Sequence, residues 1–520
     1  MTDPNDFARY PSVVHMLDEA ARLAPQREAL VCGDERLRYD EYLRCVAGFA
    51  RELVERDARG ERVAIVLGNS LDTCVALFAV HAAGAQAVPL NPLYTEHELR
   101  PLFADARLHA VVYADENAPR VEALADEFDI AHRFRIGPMH RRLTAWRDDA
   151  SMSLPRPLPR ADALATLQYT GGTTGLSKGV NLLHGAVATN VLQREALLPT
   201  RRDDERLLCV MPLFHVYAVA MCLHNMALAR GALVIVARYT PDAVLDALVR
   251  ERITIFAGSP TLFTGLLNHP GFSRDAFATL RLSYSGSAAL PEELLRRWEQ
   301  ATGTPVLEGY GQSEAGPVVS FNPVHGVRKP GSVGVPLPLT DVQIVDTDTG
   351  SRVLGIGEKG EIRVRGPQVM RDYRNLPIET AAALRDGWLH TGDIGELDAD
   401  GYLYVRDRKK EMAKVSGYNV FPREVEEVLY LHPAVAEAAA IGVPDAYRGE
   451  AIRAFVALAP GRHASADALV EHCRERLAPY KIPSRIVLVD ALPKTVVGKI
   501  DKVRLRACAD GDRARGDGER

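Results

Sequence analysis

Between Leu167 and Val180 the chain reads LQYTGGTTGLSKGV, and the residue types suit a string of phosphates. After Thr170, the glycines Gly171, Gly172 and Gly175 let the backbone fold tightly and aim N–H groups at an anion. Thr173 and Thr174 add hydroxyl donors, and Lys178 adds a positive charge. Those are the requirements of a nucleotide triphosphate tail. The spacing is not that of the loop GxxxxGK[ST], because Leu176 and Ser177 stand five residues after Gly171 and Gly172. The bland alternative is a Gly/Thr surface turn, and the density of donors weighs against it. A second glycine pattern, GIGEKG (Gly355 to Gly360), fits GxGxxG but follows a polar turn and runs into EIRVRG, a strand. Without a strand before it and a helix after it, the match reads as a hairpin turn.

The elements that must carry such a loop alternate along the chain. RVAIVLG, QAVPLN and LHAVVYA read as strands, with SLDTCVALFAVHAAG and TEHELRPLFADA as the helices between them. Repeated β-α-β spacing implies parallel sheet covered by helices. The theme resumes with a helix opened by Thr240-Pro241, the strands ITIFAG and RLSYSGS, and a helix after Pro291 whose Leu294, Leu295 and Trp298 share a face. The Pro-rich SLPRPLPRAD (153–162) is expected to separate two such α/β units. After about Gly331 short strands and turn residues predict a β-rich subdomain. From about Lys410 helices such as EVEEVLYL mix with strands such as RIVLVD, which predicts a small α+β domain with a frayed polar tail. The fold class is α/β: a large N-terminal domain of two βαβ-type subdomains plus a β-rich one, then a small mobile α+β domain.

Size and composition agree. At 520 residues the chain exceeds one ordinary core, and 47% hydrophobic with 25% charged residues is a globular balance. A net charge of -5 gives no footprint for nucleic acid. Seven scattered cysteines without a CxxC pair suggest neither disulfide framework nor zinc site, and a reducing cytoplasm is the expected home. No secretory signal opens the chain, and the apolar stretch from Val216 to Ala237 is broken by His224, Asn225 and Arg230, so it reads as core and not as a membrane span.

Further motifs follow the phosphate loop in order: PLFHVYA (212–218), SGSAALP (285–291), EGYGQSEAGP (308–317), GWLHTGDIG (387–395), YVRDRKKEMAKVSGYNVFPREVE (404–426) and LPKTVVGKIDK (492–502). With them the chain resembles the adenylate-forming superfamily of acyl-CoA synthetases, adenylation domains and luciferases over nearly its whole length. The resemblance implies ATP, Mg²⁺ and coenzyme A as cofactors and a carboxylic acid as substrate. It makes Glu314 the metal ligand, a hard oxygen donor that suits Mg²⁺. Tyr310 would lie against adenine, and Asp393 would hold the ribose hydroxyls with Arg408 nearby. Gly286, Ser287 and Ala288, with Glu308, Gly309, Gly311, Gln312 and Ser313, would complete the nucleotide site, while His215 would sit beside the acyl pocket. Lys499 would bridge the carboxylate and the α-phosphate, with Thr173 also counted as catalytic. Val405, in the same stretch as Arg408, is given no role.

Lys499 and the SGYN loop both fall in the C-terminal domain, and one face of it cannot serve both adenylation and thioester formation. The resemblance implies that residues 410–520 rotate against 1–409 about Lys410, after which Lys414, Ser416 and Gly417 would line a pantetheine channel. NPLYT, GSPTLFTGLLNHPGF and GPQVMRDY have the flavour of bacterial fatty acyl-CoA ligases, which points to a medium- or long-chain acid. The small Gly286, Ala288 and Gly309 are expected to leave room at the head of an acyl tunnel, which would equally take an aryl acid. Departures from the family pattern include Ser177 for proline, Leu183 for threonine, Ser313 for threonine and Ala218 for glycine; none removes a catalytic group. Three readings stand: a coenzyme A ligase, an acyl-AMP ligase loading a carrier-protein pantetheine, and a non-catalytic binding relative. The third is disfavoured because Thr173, Lys178, Glu314, Asp393, Arg408 and Lys499 are all present. A homodimer is left open.

Overall fold

The short apolar runs become parallel strands because a helix returns the chain across the sheet after each one. Strands Arg62–Val66, Gln86–Pro89 and Ala110–Ala114 are joined by helices Leu71–Ala82 and Glu96–Ala106, and Ile65 stands opposite both Pro89 and Val112. Both helices begin on side-chain caps. Ser70 accepts from the Thr73 N–H, and Thr95 with Glu98 forms a reciprocal capping box. Helix Leu71–Ala82 is buried along its whole length, which explains why its sequence shows so little amphipathic contrast. The computed structural model describes residues 4–170, 177–416, 418–445, 447–495 and 498–516.

Two large sheets share this core. One has seven strands in the order Asp372–Tyr373, Lys178–Leu183, Leu164–Thr170, Gln86–Pro89, Arg62–Val66, Ala110–Ala114, His132–Ile136. The other has nine, and its parallel centre runs Val306–Gly311, Leu282–Ser285, Ile255–Gly258, Arg206–Cys209, Ala232–Ile235, Glu28–Cys32. The Pro-rich 153–162 segment does not separate two α/β units, contrary to the expectation from sequence. Leu164–Thr170, after it, pairs with Gln86–Pro89, before it, and the hairpin of Glu28–Cys32 and Glu35–Arg38 joins a sheet whose other strands all lie beyond 205. Parallel pairing is non-local, so a linker composition does not reveal which strands meet across it.

The β-rich subdomain is a five-stranded antiparallel sheet of Asp341–Val345, Gly360–Arg365, Trp388–Leu397, Leu384–Arg385 and Leu403–Arg408. GIGEKG lies in the connection between the first two of these strands, the hairpin reading its context gave. The last sheet gathers Tyr418–Val420, Ala413–Val415, Gly449–Leu458, Val435–Asp445 and Arg485–Val489. It is covered by helices Pro422–Tyr430 and Ala466–Arg474 around hydrophobic clusters separate from the main core. The tail is less frayed than its composition suggests, because helix Lys502–Gly516 carries the backbone well into it.

One feature of the main core has a thermodynamic signature. His81, His184 and His224 are buried together, the His81 ring 5.2 Å from that of His184 and 6.3 Å from that of His224. Among the described residues no group hydrogen-bonds either ring nitrogen of His184 or His224. Burial pushes His81 down to about 4, His224 down to about 3, and His184 well below the usual imidazole range. Above pH 6.5 these rings are neutral whether folded or unfolded. Below it the unfolded chain takes up protons that the folded chain refuses, so stability falls as pH drops from about 6.5 toward 4. Each ring contributes up to about 1.4 kcal/mol per pH unit. Urea midpoints followed by tryptophan fluorescence should fall over this window, and His224→Leu should flatten the fall; an unchanged slope in that variant would refute the assignment.

Candidate active site

The parallel strands of both sheets deliver their carboxyl ends to one region, the place where open α/β sheets bind ligands. Leu164–Thr170 leads into the phosphate loop and Lys178–Leu183 leads out of it. Gly171, Gly172, Thr173, Thr174 and Gly175 lie outside the described residues, as does Gly417. Leu282–Ser285 ends in the 286–290 loop, where Ser287 is held at φ 68, and Val306–Gly311 follows beside it. The two segments are tied by Glu308, whose Oε1 accepts the Leu290 N–H at 2.8 Å. Burial raises the Glu308 carboxyl to about 7, and its second oxygen has no partner among the described residues.

The charged centre is built across three elements. Asp393 on Trp388–Leu397 and Arg408 on Leu403–Arg408 are cross-strand partners, with Arg408 Nε 3.3 Å from Asp393 Oδ1. The Tyr310 hydroxyl, from the strand Val306–Gly311 of the nine-stranded sheet, donates to Asp393 Oδ2 at 2.6 Å. Burial raises the Asp393 carboxyl, while Arg408, Tyr310 and Lys499 hold it back. A cavity of about 300 Å³ opens here, lined by Thr391, Gly392, Asp393, Arg408, Lys409 and Lys410. Its size suits a ribose and its neighbours.

Lys499 arrives from the opposite side on a tight turn. Lys494 bridges to Ile500, the Thr495 N–H donates to Lys499 O at 2.7 Å, and Gly498 adopts φ +77, which a side chain would strain. Thr261 pins the turn to the large domain by donating to Gly498 O at 2.8 Å. Burial, then the Arg408 charge, lowers the Lys499 ammonium to about 8, with Asp393 opposing. A second cavity of about 530 Å³ lies along this seam between the domains, reaching Ser287, Ala288, Arg408 and Lys499.

Other expected residues stand differently. His215 caps the next turn, its Nδ1 accepting the Tyr217 N–H at 3.3 Å, and burial followed by Lys499 lowers it to about 3, so the ring is neutral. The room expected beside Gly286 and Gly309 is occupied. A methyl on Gly286 would come within 2.6 Å of the Tyr217 ring, and one on Gly309 within 2.1 Å of the Phe321 ring. Glycine serves there for close approach of aromatic rings, not for a vacant tunnel head. Gly311 likewise faces backbone, with Pro317 O 1.8 Å from where a methyl would lie. Glu314 Oε1 accepts the Tyr373 hydroxyl at 2.9 Å, and Gln312 and Ser313 lead into its short turn. Lys414, on the C-terminal sheet, and Ser416, in the turn after that strand, are exposed and line neither cavity. Thr261, Thr391 and Tyr217 are additions that the motifs did not single out. Thr391 stands two residues before Asp393 within GWLHTGDIG and was legible there; Thr261 carries no local signal.

A family model described as AMP-binding enzyme matches residues 17–374, and one described as AMP-binding enzyme C-terminal domain matches 424–499. The chain is 36% identical to a long-chain-fatty-acid--CoA ligase of Bacillus subtilis, covering 94% of this chain and 93% of that one. It is 38% identical to a feruloyl-CoA synthase of an Amycolatopsis species, covering 94% and 96%. Among solved structures, ATP-bound MatB from Rhodopseudomonas palustris superposes with a TM-score of 0.88 at 33% identity, covering 95% and 98%. The apo form of the same protein gives 0.79 over the same shares. The arrangement of this chain is thus nearer the ATP-bound form.

The lowered Lys499 should appear in kinetics. If Lys499 acts as a cation on ATP, as the resemblance implies, kcat/KM for ATP in pyrophosphate exchange should fall as pH rises through about 8. Arg408→Gln removes a cation that lowers Lys499, and should move that alkaline limb upward. Asp393→Asn should move it downward. A limb that stays put in both variants would show that another group controls it.

Proposed function

Because this chain belongs to the AMP-binding enzyme family and is an ATP-dependent acyl-CoA ligase, we propose that it activates a medium- or long-chain fatty acid by way of Lys499, Asp393, Arg408 and Glu314. ATP, Mg²⁺ and coenzyme A are the cofactors of this ligation. The observation that carries the reading is the convergence of Lys499, Arg408 and Tyr310 on buried Asp393 beside a cavity of about 300 Å³.

Asp393 accepts the ribose hydroxyls, and Arg408 and the Tyr310 hydroxyl oppose the upward push that burial exerts on its carboxyl. Lys499, carried in by the C-terminal domain, meets the carboxylate oxygen and α-phosphate as they approach, and stabilises the charge that builds there. The phosphate loop with Lys178 takes the β- and γ-phosphates. The Glu314 carboxylate fits a hard divalent cation: Tyr373 engages one oxygen and leaves the other as a donor. Bound Mg²⁺ would neutralise phosphate charge and polarise the scissile bond. His215, neutral and capping its helix, shapes the wall of the acyl site and takes no proton at neutral pH.

The second half-reaction needs another arrangement. Residues 410–520 turn about Lys410, withdrawing Lys499 and bringing Lys414, Ser416 and Gly417 to the pantetheine path. Support comes from the separate cores of the two units, and the seam that such a turn would have to open is polar: Thr261 to Gly498, Arg423 to Val405 and Asp407, and the Lys359–Glu424 ion pair. A carrier-protein pantetheine would use the same path. For the acid, several relatives near 35% identity are named long-chain-fatty-acid--CoA ligases, which favours an aliphatic chain. The second reading is an aryl acid, favoured by the 38% identity to the feruloyl-CoA synthase and by the Tyr217 and Phe321 rings beside the nucleotide loops.

Two outcomes test this. Lys499→Ala should slow acyl-adenylate formation by about a hundredfold or more while still converting a supplied acyl-adenylate to thioester. Equal loss of both halves would sink the rotation. Across acids from acetate through C18 and benzoates to cinnamates, AMP release with free coenzyme A should peak at C8 to C18. A cinnamate optimum would transfer the protein to the aryl reading, and release without a coenzyme A requirement to carrier loading.

A further inference from the structure

The strand Asp372–Tyr373 is drawn from the chain between Gly360–Arg365 and Leu384–Arg385 of the β-rich sheet, yet it pairs with the strand that leaves the phosphate loop. Tyr373 stands opposite Val180 and Asp372 opposite Asn181. The pairing is dense. The Arg371 N–H donates to Asn181 O at 3.0 Å, the Arg374 N–H to Gly179 O at 2.7 Å, and the Asn181 amide to Asp372 Oδ1 at 2.6 Å. The Met370 N–H donates to Glu314 O at 2.8 Å, so the same strap also grips the backbone of Glu314.

From this strap the Tyr373 side chain, 9% exposed, touches two charged residues on two other elements. Its hydroxyl donates to Glu314 Oε1 at 2.9 Å, and the Lys178 ammonium lies 5.0 Å from its ring centroid. One neutral side chain thus engages both, the anion at the hydroxyl and the cation on the ring face. That leaves one oxygen of Glu314 to meet a divalent cation and keeps Lys178 able to meet phosphate.

We propose that Tyr373 is a positioning residue for adenylation, fixing Glu314 as a metal ligand through its hydroxyl and holding Lys178 at the phosphates through its ring. This rests on the reading of Glu314 as the Mg²⁺ ligand. The physical ground is that an outer residue bonded to a ligating carboxylate sets its orientation, and losing it costs metal affinity tenfold or more. The two contacts are separable by substitution, because Tyr373→Phe removes the hydroxyl and keeps the ring, whereas Tyr373→Leu removes both.

The test uses the full chain with ATP. Mn²⁺ binding to the enzyme–ATP complex is measured by electron paramagnetic resonance, and Mg²⁺ is titrated in pyrophosphate exchange. Tyr373→Phe should weaken Mn²⁺ binding and raise the half-maximal Mg²⁺ concentration by about tenfold. Its melting temperature and its affinity for a fluorescent methylanthraniloyl-ATP in EDTA should stay unchanged. Tyr373→Leu should weaken that metal-free binding too. Glu314→Gln is the control: if it raises the metal requirement and Tyr373→Phe does not, the proposal is overturned while the Glu314 reading stands. If neither variant moves it, both fall. A drop in metal-free ATP affinity in Tyr373→Phe equal to its drop in Mn²⁺ affinity would also overturn the proposal, since it would show a general loss of site structure.

Discussion

A buried carboxylate is tolerable only where cations and donors face it, and Asp393 is faced from three sides. Arg408 comes from its own hairpin, the Tyr310 hydroxyl from the nine-stranded sheet, and Lys499 from the C-terminal domain. Only one of these is covalently near. The others require the two sheets to be stacked and the small domain to be closed, so the electrostatic quality of the site depends on the whole architecture being assembled. Without Lys499, Asp393 would still keep Arg408 and the Tyr310 hydroxyl, so the rotation proposed above would not require the large domain to reorganise.

The β-rich sheet has a role beyond filling a gap. Its strands carry Asp393 and Arg408, and its 370–375 excursion is woven into the phosphate-loop sheet. Arg374 and Asn375 extend that stitch to Asp105 at the end of helix Glu96–Ala106, where the Tyr169 hydroxyl is also bound at 2.6 Å. The groups proposed to face ribose and phosphate are thus fixed to one another through backbone pairing. Errors of an ångström between them would cost rate heavily, because an in-line displacement depends on alignment.

Much of this could be read from residue order. The motifs gave the charged residues that meet at Asp393, and the alternation of apolar runs with helix-length segments gave the parallel sheets. What the sequence hid is what depends on partners distant in the chain. Gly286 and Gly309 looked like vacancies because nothing nearby says that Tyr217 and Phe321 fill them. The Pro-rich 153–162 segment looked like a divider because composition cannot show that Ala87 pairs with Thr166 across it. His215 looked like an acyl-site residue and is a helix cap besides, since a ring nitrogen can do either. Tyr373, in GPQVMRDY, stood in plain view without a role because its two partners lie far apart in sequence.

The separate cores have an optical corollary. Trp146, Trp298 and Trp388 all precede Lys410, whereas Tyr418, Tyr430, Tyr447 and Tyr480 lie beyond it. Indole emission therefore watches the large unit alone and is nearly silent about the domain that delivers Lys499. Two units with their own hydrophobic clusters need not melt together, and a chain of this size is not bound to all-or-none unfolding. A calorimetric trace sums both transitions, so its disagreement with the indole signal would measure how loosely the two halves are coupled.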